Sequence, residues 1–434
     1  MPKNSSVKLL DMAIFGTSNK ENEHRVPIHH KHFKTIPIEY RSHMWLEEGY
    51  ATRWGISDNQ LITEYGFKGV KSRNELLHSK NTILLLPKVT QLDFENMPDN
   101  AMVWGWPHFV QNRTVTQMAI DKRLSVIAFE NMYAWSSAGR GKHTLEKNNW
   151  MAGYCGVLHA YELVAKEHEQ ERDSFMDSHK NKTVIIISYG SVSKGAASSL
   201  HERDFSNITV YTHRPAATVI EKIERVQYKQ ICNVDGSLMV VSPDGASHPF
   251  IENISKADLI ANGILQNPDK PEMFVKKNEI ERLKNNCLIV DISCDEAMGF
   301  PFAKPTSFKN PSFKVKTGAN KSVTYYAVDH TPTYLWDRSS EYISESILPF
   351  IPTVMGGPVA WEKNETIKHA LNFENGKILL EEILTFQHRE KKYPHAQTAQ
   401  YLDIKFDTFF SSFNKKNMYA PVIWLIHLII QLEN

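Results

Sequence analysis

A run of β-branched residues, Thr183 to Ile187 (TVIII), leads into the turn Ser188 to Ala196, SYGSVSKGA, and then into a helix expected to start near Ala196. A buried strand feeding a glycine-bearing turn and a helix start presents backbone N–H groups and a helix dipole to a diphosphate. Gly190 and Gly195 would give the backbone its close approach, with Ser188, Ser191 and Val192 completing the cradle. Ser188 and Ser193 stand at the first and third glycine places of the G-x-G-x-x-G pattern, so an ordinary tight strand-to-helix turn is the competing reading. The next strand, Ile208 to Tyr211, is followed by Thr212 about 20 residues after the turn, where a carboxylate for a ribose 2′-hydroxyl would normally stand. The run there is THRP. Arg214 is suited to an adenine face or a 2′-phosphate, which favours NADP(H) over NAD(H), while a solvent-facing loop arginine is the alternative.

Two further groups with proton-transfer chemistry close apolar strand-like runs. Lys88 follows Ile83 to Leu86, and His108 follows Met102 to Trp106, at strand ends where α/β folds carry function. A lysine beside a low-dielectric cleft titrates closer to neutrality, and an imidazole gives and takes protons near pH 7. A third run, Ser125 to Phe129, completes a rhythm of short strands and helices that reads as an α/β sheet.

The helical pattern from Trp150 to Ala165 and the polar stretch after it mark a domain boundary. Beyond it, Thr183 to Ile187, the glycine turn and Ile208 to Tyr211 form a βαβ unit, and Leu288 to Ile292 is a further buried strand. Residues 301–322, rich in lysine with three prolines, are expected to be an irregular exposed loop near the cleft. Residues 334–351 and 361–386 both carry helical patterns, consistent with the chain returning to the first domain.

With 434 residues, 50 Lys plus Arg and 49 Asp plus Glu, the chain suits two domains, and no basic block marks it for nucleic acid or an anionic membrane. Cys155, Cys232, Cys287 and Cys294 are scattered without paired ligand spacing, so reduced thiols and no metal site are expected. The start MPKNSSVKLL lacks a secretory pattern, which makes the cytoplasm the expected location. Tyr419 to Leu432 is apolar but shorter than the ~20 residues of a membrane span, so a docking helix is expected there, with the tail available to the body or to a sister subunit in a homo-oligomer.

Several segments in order, FGTSNKENEHRVPI, LLLPK, WGWPHFVQ, IAFEN, VDISCD and YAVDHTPTYLWDRSSEYISESILP, resemble the superfamily of alanine dehydrogenase, saccharopine dehydrogenase and N5-(carboxyethyl)ornithine synthase, the last two most like its opine-forming branch. The resemblance runs roughly from residue 12 to 395 and lies in the order of many short motifs. It implies two Rossmann-like domains with a cleft between them: a discontinuous catalytic domain, 1–162 and 335–395, with a central NAD(P)-binding domain, 163–334, inserted, and a tail at 396–434. It further implies that Arg25 grips a substrate carboxylate, that Lys88 and His108 are the catalytic acid–base pair between aromatic walls Trp104 and Trp106, and that Glu130 lies near the substrate. Asp329 and His330 are implied beside the substrate, and Asp295 beside the nicotinamide. For the aspartates a turn or helix cap is the alternative. Around Lys88 the chain departs from the family, with Pro87 before it and Val89 and Thr90 where an acid usually follows.

The activity implied is reductive condensation of a 2-oxo acid such as pyruvate with the amino group of an amino acid. Alanine-dehydrogenase-like chemistry with free ammonia is one alternative. A catalytically silent binding protein is the other, since fold does not fix function.

Overall fold

The structure is a computed structural model that describes residues 9–171, 181–266 and 270–398. The expected docking helix of the tail lies outside the described residues.

Short apolar runs separated by helices build the first sheet from β1 (Asp11–Ile14), β2 (Met44–Glu47), β3 (Gly69–Lys71), β4 (Thr82–Lys88), β5 (Met102–Trp106) and β6 (Ser125–Ala128). All six run parallel, and helices cover both faces, which is why their strands read as continuous apolar stretches. Side chains alternate between two cores: Met12, Leu85, Trp104 and Ile127 face one, Ala13, Leu84, Val103 and Val126 the other. A small hairpin, β7 (Tyr133–Ser136) and β8 (Gly139–His143), follows.

A helix of 26 residues, Glu146–Glu171, then links the lobes. The second sheet contains β9 (Thr183–Ile187), β10 (Asn207–Thr212), β11 (Val226–Val234), β12 (Ser237–Val241), β13 (Ser247–Pro249), β14 (Leu259–Asn262), β15 (Leu288–Asp291), β16 (Ser312–Gly318) and β17 (Lys321–Tyr326). Their order, β13-β12-β11-β10-β9-β14-β15-β17-β16, puts β9 between β10 and β14, where the winding reverses and α/β folds open a crevice. The chain then returns to the first sheet as β18 (Leu371–Glu374) and β19 (Lys377–Ile378), with β18 antiparallel to β6.

Three expectations are corrected. The lysine-rich stretch is not a loop throughout, because residues 312–326 form the β16–β17 hairpin. Phe313 and Val315 pack on the core while the intervening lysines form the solvent face, an alternation that the high charge obscures. The window 361–386 is not one helical pattern: a helix at Glu365–Ala370 gives way to β18 and β19. Asn375 and Gly376, with φ of 52° and 80°, make the two-residue turn that such a hairpin requires. The helix after the glycine turn begins at Ser191, five residues before the expected Ala196, so the turn itself is only Ser188 to Gly190.

Candidate active site between the two lobes

Lys88 ends β4 at an irregularity of the ladder. Leu86 pairs with Gly105 and Lys88 with Trp106, and Pro87, which has no N–H to give, falls in the skipped position. Proline before the lysine is therefore accommodated by a bulge. Burial pushes the Lys88 ammonium below its ordinary value; Asp329 opposes that shift, while Arg25 and Lys20 add to it.

His108 follows β5 with φ +52°, a left-handed conformation uncommon outside glycine. Its residue surface is open, yet the ring sits among Lys88, Asp329, Arg25 and Lys20; desolvation and the Lys88 charge together push it down to about 3. At neutral pH the imidazole is uncharged. The backbone N–H of His108 donates to Glu130 Oε1 at 2.8 Å, and Glu130 Oε2 is buried with no hydrogen-bond partner. Burial raises the Glu130 carboxyl to about 7 against the opposing effects of its hydrogen bonds and of Lys88. Three strand ends, β4, β5 and β6, thus bring a lysine, a histidine and a carboxyl to one edge of the sheet.

Arg25 is buried and already engaged. Its Nε and Nη2 donate to Glu23 at 2.8 and 2.5 Å, Nη1 donates to Asn148 Oδ1 at 3.1 Å, and the guanidinium lies 5.3 Å from the Trp106 ring centroid. Glu23 had no assigned role in the sequence. Its signal was the spacing E-x-R, since alternate residues of an extended segment face one side. Trp104 does not wall the cleft; it is wholly buried in the core against Phe129, and only Trp106 reaches Arg25. The alternation of β5 turns Trp104 inward.

From the second lobe, Asp329 pairs with Lys20 at 2.9 Å and with His330 Nδ1 at 2.6 Å. Burial alone would raise the Asp329 carboxyl, but the His330 hydrogen bond and the charges of Lys88, His330 and Lys20 outweigh it and hold the group well below the usual carboxylate range. His330 Nε2 lies 2.5 Å from the Glu21 carbonyl, so both ring nitrogens are engaged and this histidine fastens the lobes together. Asp295 lies in the loop after β15, its carboxyl raised to about 6 by burial.

At the glycine turn, Ser188 has φ +81°, the backbone conformation that the first glycine of the fingerprint supplies, and donates its N–H to the Tyr211 carbonyl at 2.7 Å. The following helix, Ser191–His201, starts at Gly190 with no side-chain cap. A Cβ on Gly190 would meet nothing within 4 Å. Open space and uncapped N–H groups at a helix N-terminus suit an anionic diphosphate. Gly195 is corrected: it does not border that space. A Cβ there would sit 1.9 Å from the Trp150 carbonyl, so this glycine lets the turn helix cross the connecting helix backbone to backbone. Ser193 is likewise buried, its hydroxyl directed to the Ile187 carbonyl at 3.4 Å. Thr212 ends β10 buried, and Arg214 donates to the Tyr189 carbonyl of the turn.

A cavity of about 600 Å³ lies elsewhere, lined by Trp150, Tyr154, Tyr334, Trp336 and Tyr342 among others. Its lining is largely aromatic, with Glu202 held by the Tyr154 hydroxyl, and none of Lys88, His108 or Glu130 reaches it, so the candidate site rests on convergent titratable groups and not on volume. Among the described residues, no group of three or more His, Cys, Asp or Glu is placed to hold a metal ion, and no helix is long and apolar enough to cross a membrane.

Comparison with known proteins agrees with this fold. Residues 179–381 match the family model described as alanine dehydrogenase/PNT, C-terminal domain. An N(5)-(carboxyethyl)ornithine synthase of Lactococcus lactis subsp. lactis is 26% identical over 345 residues, covering 76% of this chain and 90% of that protein. Alanine dehydrogenase 1 of Staphylococcus aureus is 17% identical over 322 residues, covering 74% and 82%. A solved L-alanine dehydrogenase superposes with a TM-score of 0.67 at 16% identity, covering 87% of this chain and 99% of that one. The comparisons thus make this chain similar to amino acid oxidoreductases, with the alanine dehydrogenase/PNT C-terminal domain over residues 179–381 and the fold of alanine dehydrogenase. In sequence the chain is more similar to the carboxyethylornithine synthase than to the alanine dehydrogenase just described.

Proposed function

We propose that the protein is an NADP(H)-dependent opine-type dehydrogenase that joins a 2-oxo acid such as pyruvate to the amino group of an amino acid. The observation that carries this reading is the convergence of Lys88, His108 and Glu130 at one sheet edge, facing the ionised Asp329 of the other lobe. The sequence relatives named for carboxyethylornithine synthesis support the choice of reaction, and the match to the alanine dehydrogenase/PNT C-terminal domain supports a nicotinamide cofactor.

The diphosphate would lie on the backbone of Ser188, Gly190, Ser191 and Val192, with Thr212 and Arg214 toward the adenosine and Asp295 toward the nicotinamide. Bound there, the cofactor supplies a hydride to the carbon of a C=N bond. Arg25 orients the oxo acid through the N–H groups that Glu23 and Asn148 leave free. Lys88, still cationic but with a lowered proton affinity, donates toward the carbonyl oxygen as the amine nitrogen attacks. Neutral His108 takes the proton that this nitrogen sheds and returns it to the hydroxyl, which departs as water and leaves the C=N bond. Glu130, with its unpartnered oxygen, receives the incoming ammonium and takes one of its protons, so that the nitrogen attacks as the free amine. Asp329 and His330 hold the lobes in register around the reacting atoms.

We further assign 1–162 with 335–395 to the catalytic domain and 163–334 to the cofactor domain, and place the protein in the cytoplasm as a homo-oligomer. The test is oxidation of NADPH by pyruvate in the presence of an amino acid panel. Turnover that requires an amino acid supports the reading; turnover with ammonia alone points to an alanine-dehydrogenase-like reaction; no turnover and no cofactor binding identifies a silent family member.

A further inference from the structure

The loops after β10 and β14 flank β9, the strand whose turn is assigned above to the diphosphate. Side chains from these two loops meet above the strand end. His213 Nε2 lies 2.8 Å from Glu272 Oε2, with the imidazole 43% and the carboxylate side chain 20% exposed. Glu272 is held firmly in place: its N–H donates to Gln266 Oε1 at 2.6 Å, and its carbonyl accepts from Gln266 Nε2 at 3.2 Å and from the Gly299 N–H at 3.1 Å. The His213 carbonyl in turn accepts from Gln230 Nε2 at 3.3 Å. Arg214, the next residue, is folded back onto the Tyr189 carbonyl. Where a carboxylate for a ribose hydroxyl would close β10, the chain therefore places Thr212, His213 and Arg214, and a carboxylate reaches across from the opposite loop to occupy the imidazole.

We propose that His213 is a ligand for the 2′-phosphate of the dinucleotide, engaged by Glu272 in the free protein and exchanged onto the phosphate on binding, so that this pair sets the preference between the two nicotinamide dinucleotides. The inference rests on the cofactor reading above. An imidazole N–H that leaves a carboxylate for a phosphate trades one charge-assisted hydrogen bond for another, so the exchange costs little. A dinucleotide with a free 2′-hydroxyl offers no such partner. It leaves the His213–Glu272 bond in place or loses it uncompensated, and Glu272 itself repels the phosphate and competes for the ring.

The test is the ratio of NADH to NADPH dissociation constants, read from cofactor fluorescence with the full-length chain and with two variants. His213→Gln lowers that ratio about tenfold, because it removes one charge-assisted contact made only by the 2′-phosphate. Glu272→Gln raises it several-fold by removing the competitor, a gain that misfolding cannot produce. The exchange is overturned if either variant leaves the ratio unmoved. Failure of the unaltered chain to bind either dinucleotide overturns the cofactor site itself, whatever the variants do.

Discussion

The backbone N–H of His108 donates to Glu130 Oε1, so the histidine that faces the other lobe also anchors the carboxyl beside it, and does so from a left-handed backbone conformation. A change at either residue therefore acts on both.

Glu130 makes stability depend on pH in a defined direction. Its carboxyl holds a proton up to about 7 when folded, whereas the ordinary glutamate value is 4.5. Between those values the folded state binds the extra proton, so stability falls as pH rises. Glu130→Gln removes that loss: its melting temperature relative to the unaltered protein should climb across this window and level off above it. A constant difference across the window would refute the assignment.

Loss of His108 or Lys88 should fall on turnover and not on folding. His108→Ala and Lys88→Met are each expected to lower kcat by about 10²- to 10⁴-fold, the scale of a positioned acid or base. The melting temperature should move little for His108→Ala, whose side chain is open to the cleft. Unchanged turnover in the histidine variant would remove it from the mechanism.

Glu23 neutralises Arg25 in a setting where both side chains are almost wholly buried. Glu23→Ala leaves a guanidinium without its counterion, and the expected cost is about 3–5 kcal/mol. Urea unfolding measures this directly, and a change below about 1 kcal/mol, the level of a surface pair, would show that water reaches the site.

Ser188 occupies a backbone conformation with φ +81° that suits glycine. Ser188→Gly should stabilise the fold by about 0.5–1 kcal/mol, the relief of strain less the added freedom of the unfolded chain. Cofactor affinity should hold or improve. A destabilised variant would mean that the serine hydroxyl supports the turn.

The sequence carried the parts of the fold whose signal is local. Ile83 to Leu86 and Thr183 to Ile187 are continuous apolar runs, and a strand buried on both faces needs nothing else to be recognised. The β16–β17 hairpin was hidden because its solvent face is lysine, and β18–β19 because the Asn375–Gly376 turn lies inside a helical-looking window. At the site, the strand-end positions of Lys88 and His108 were legible, whereas Glu130 came only with the family resemblance. Asn148 and Glu272 left no signal, because each acquires its role by meeting a residue distant in the chain, and Glu23 left only the E-x-R spacing. Ser188 shows the same limit differently: a fingerprint written in residue types misses a serine that adopts the glycine conformation.

The crossing of the two helices at Gly153 and Gly195 leaves no room for even a methyl group, since a Cβ on Gly153 would lie 1.7 Å from the Val192 carbonyl. Asn148, which holds Arg25, stands five residues earlier on the same helix, about 7.5 Å along its axis. Whatever shifts the first turn of the helix beginning at Ser191 is thus felt at the buried arginine through one unbroken rod, with no loop to absorb the movement. A larger residue at either glycine should therefore push the two helices apart and disturb both the turn at Ser188 and the hold on Arg25.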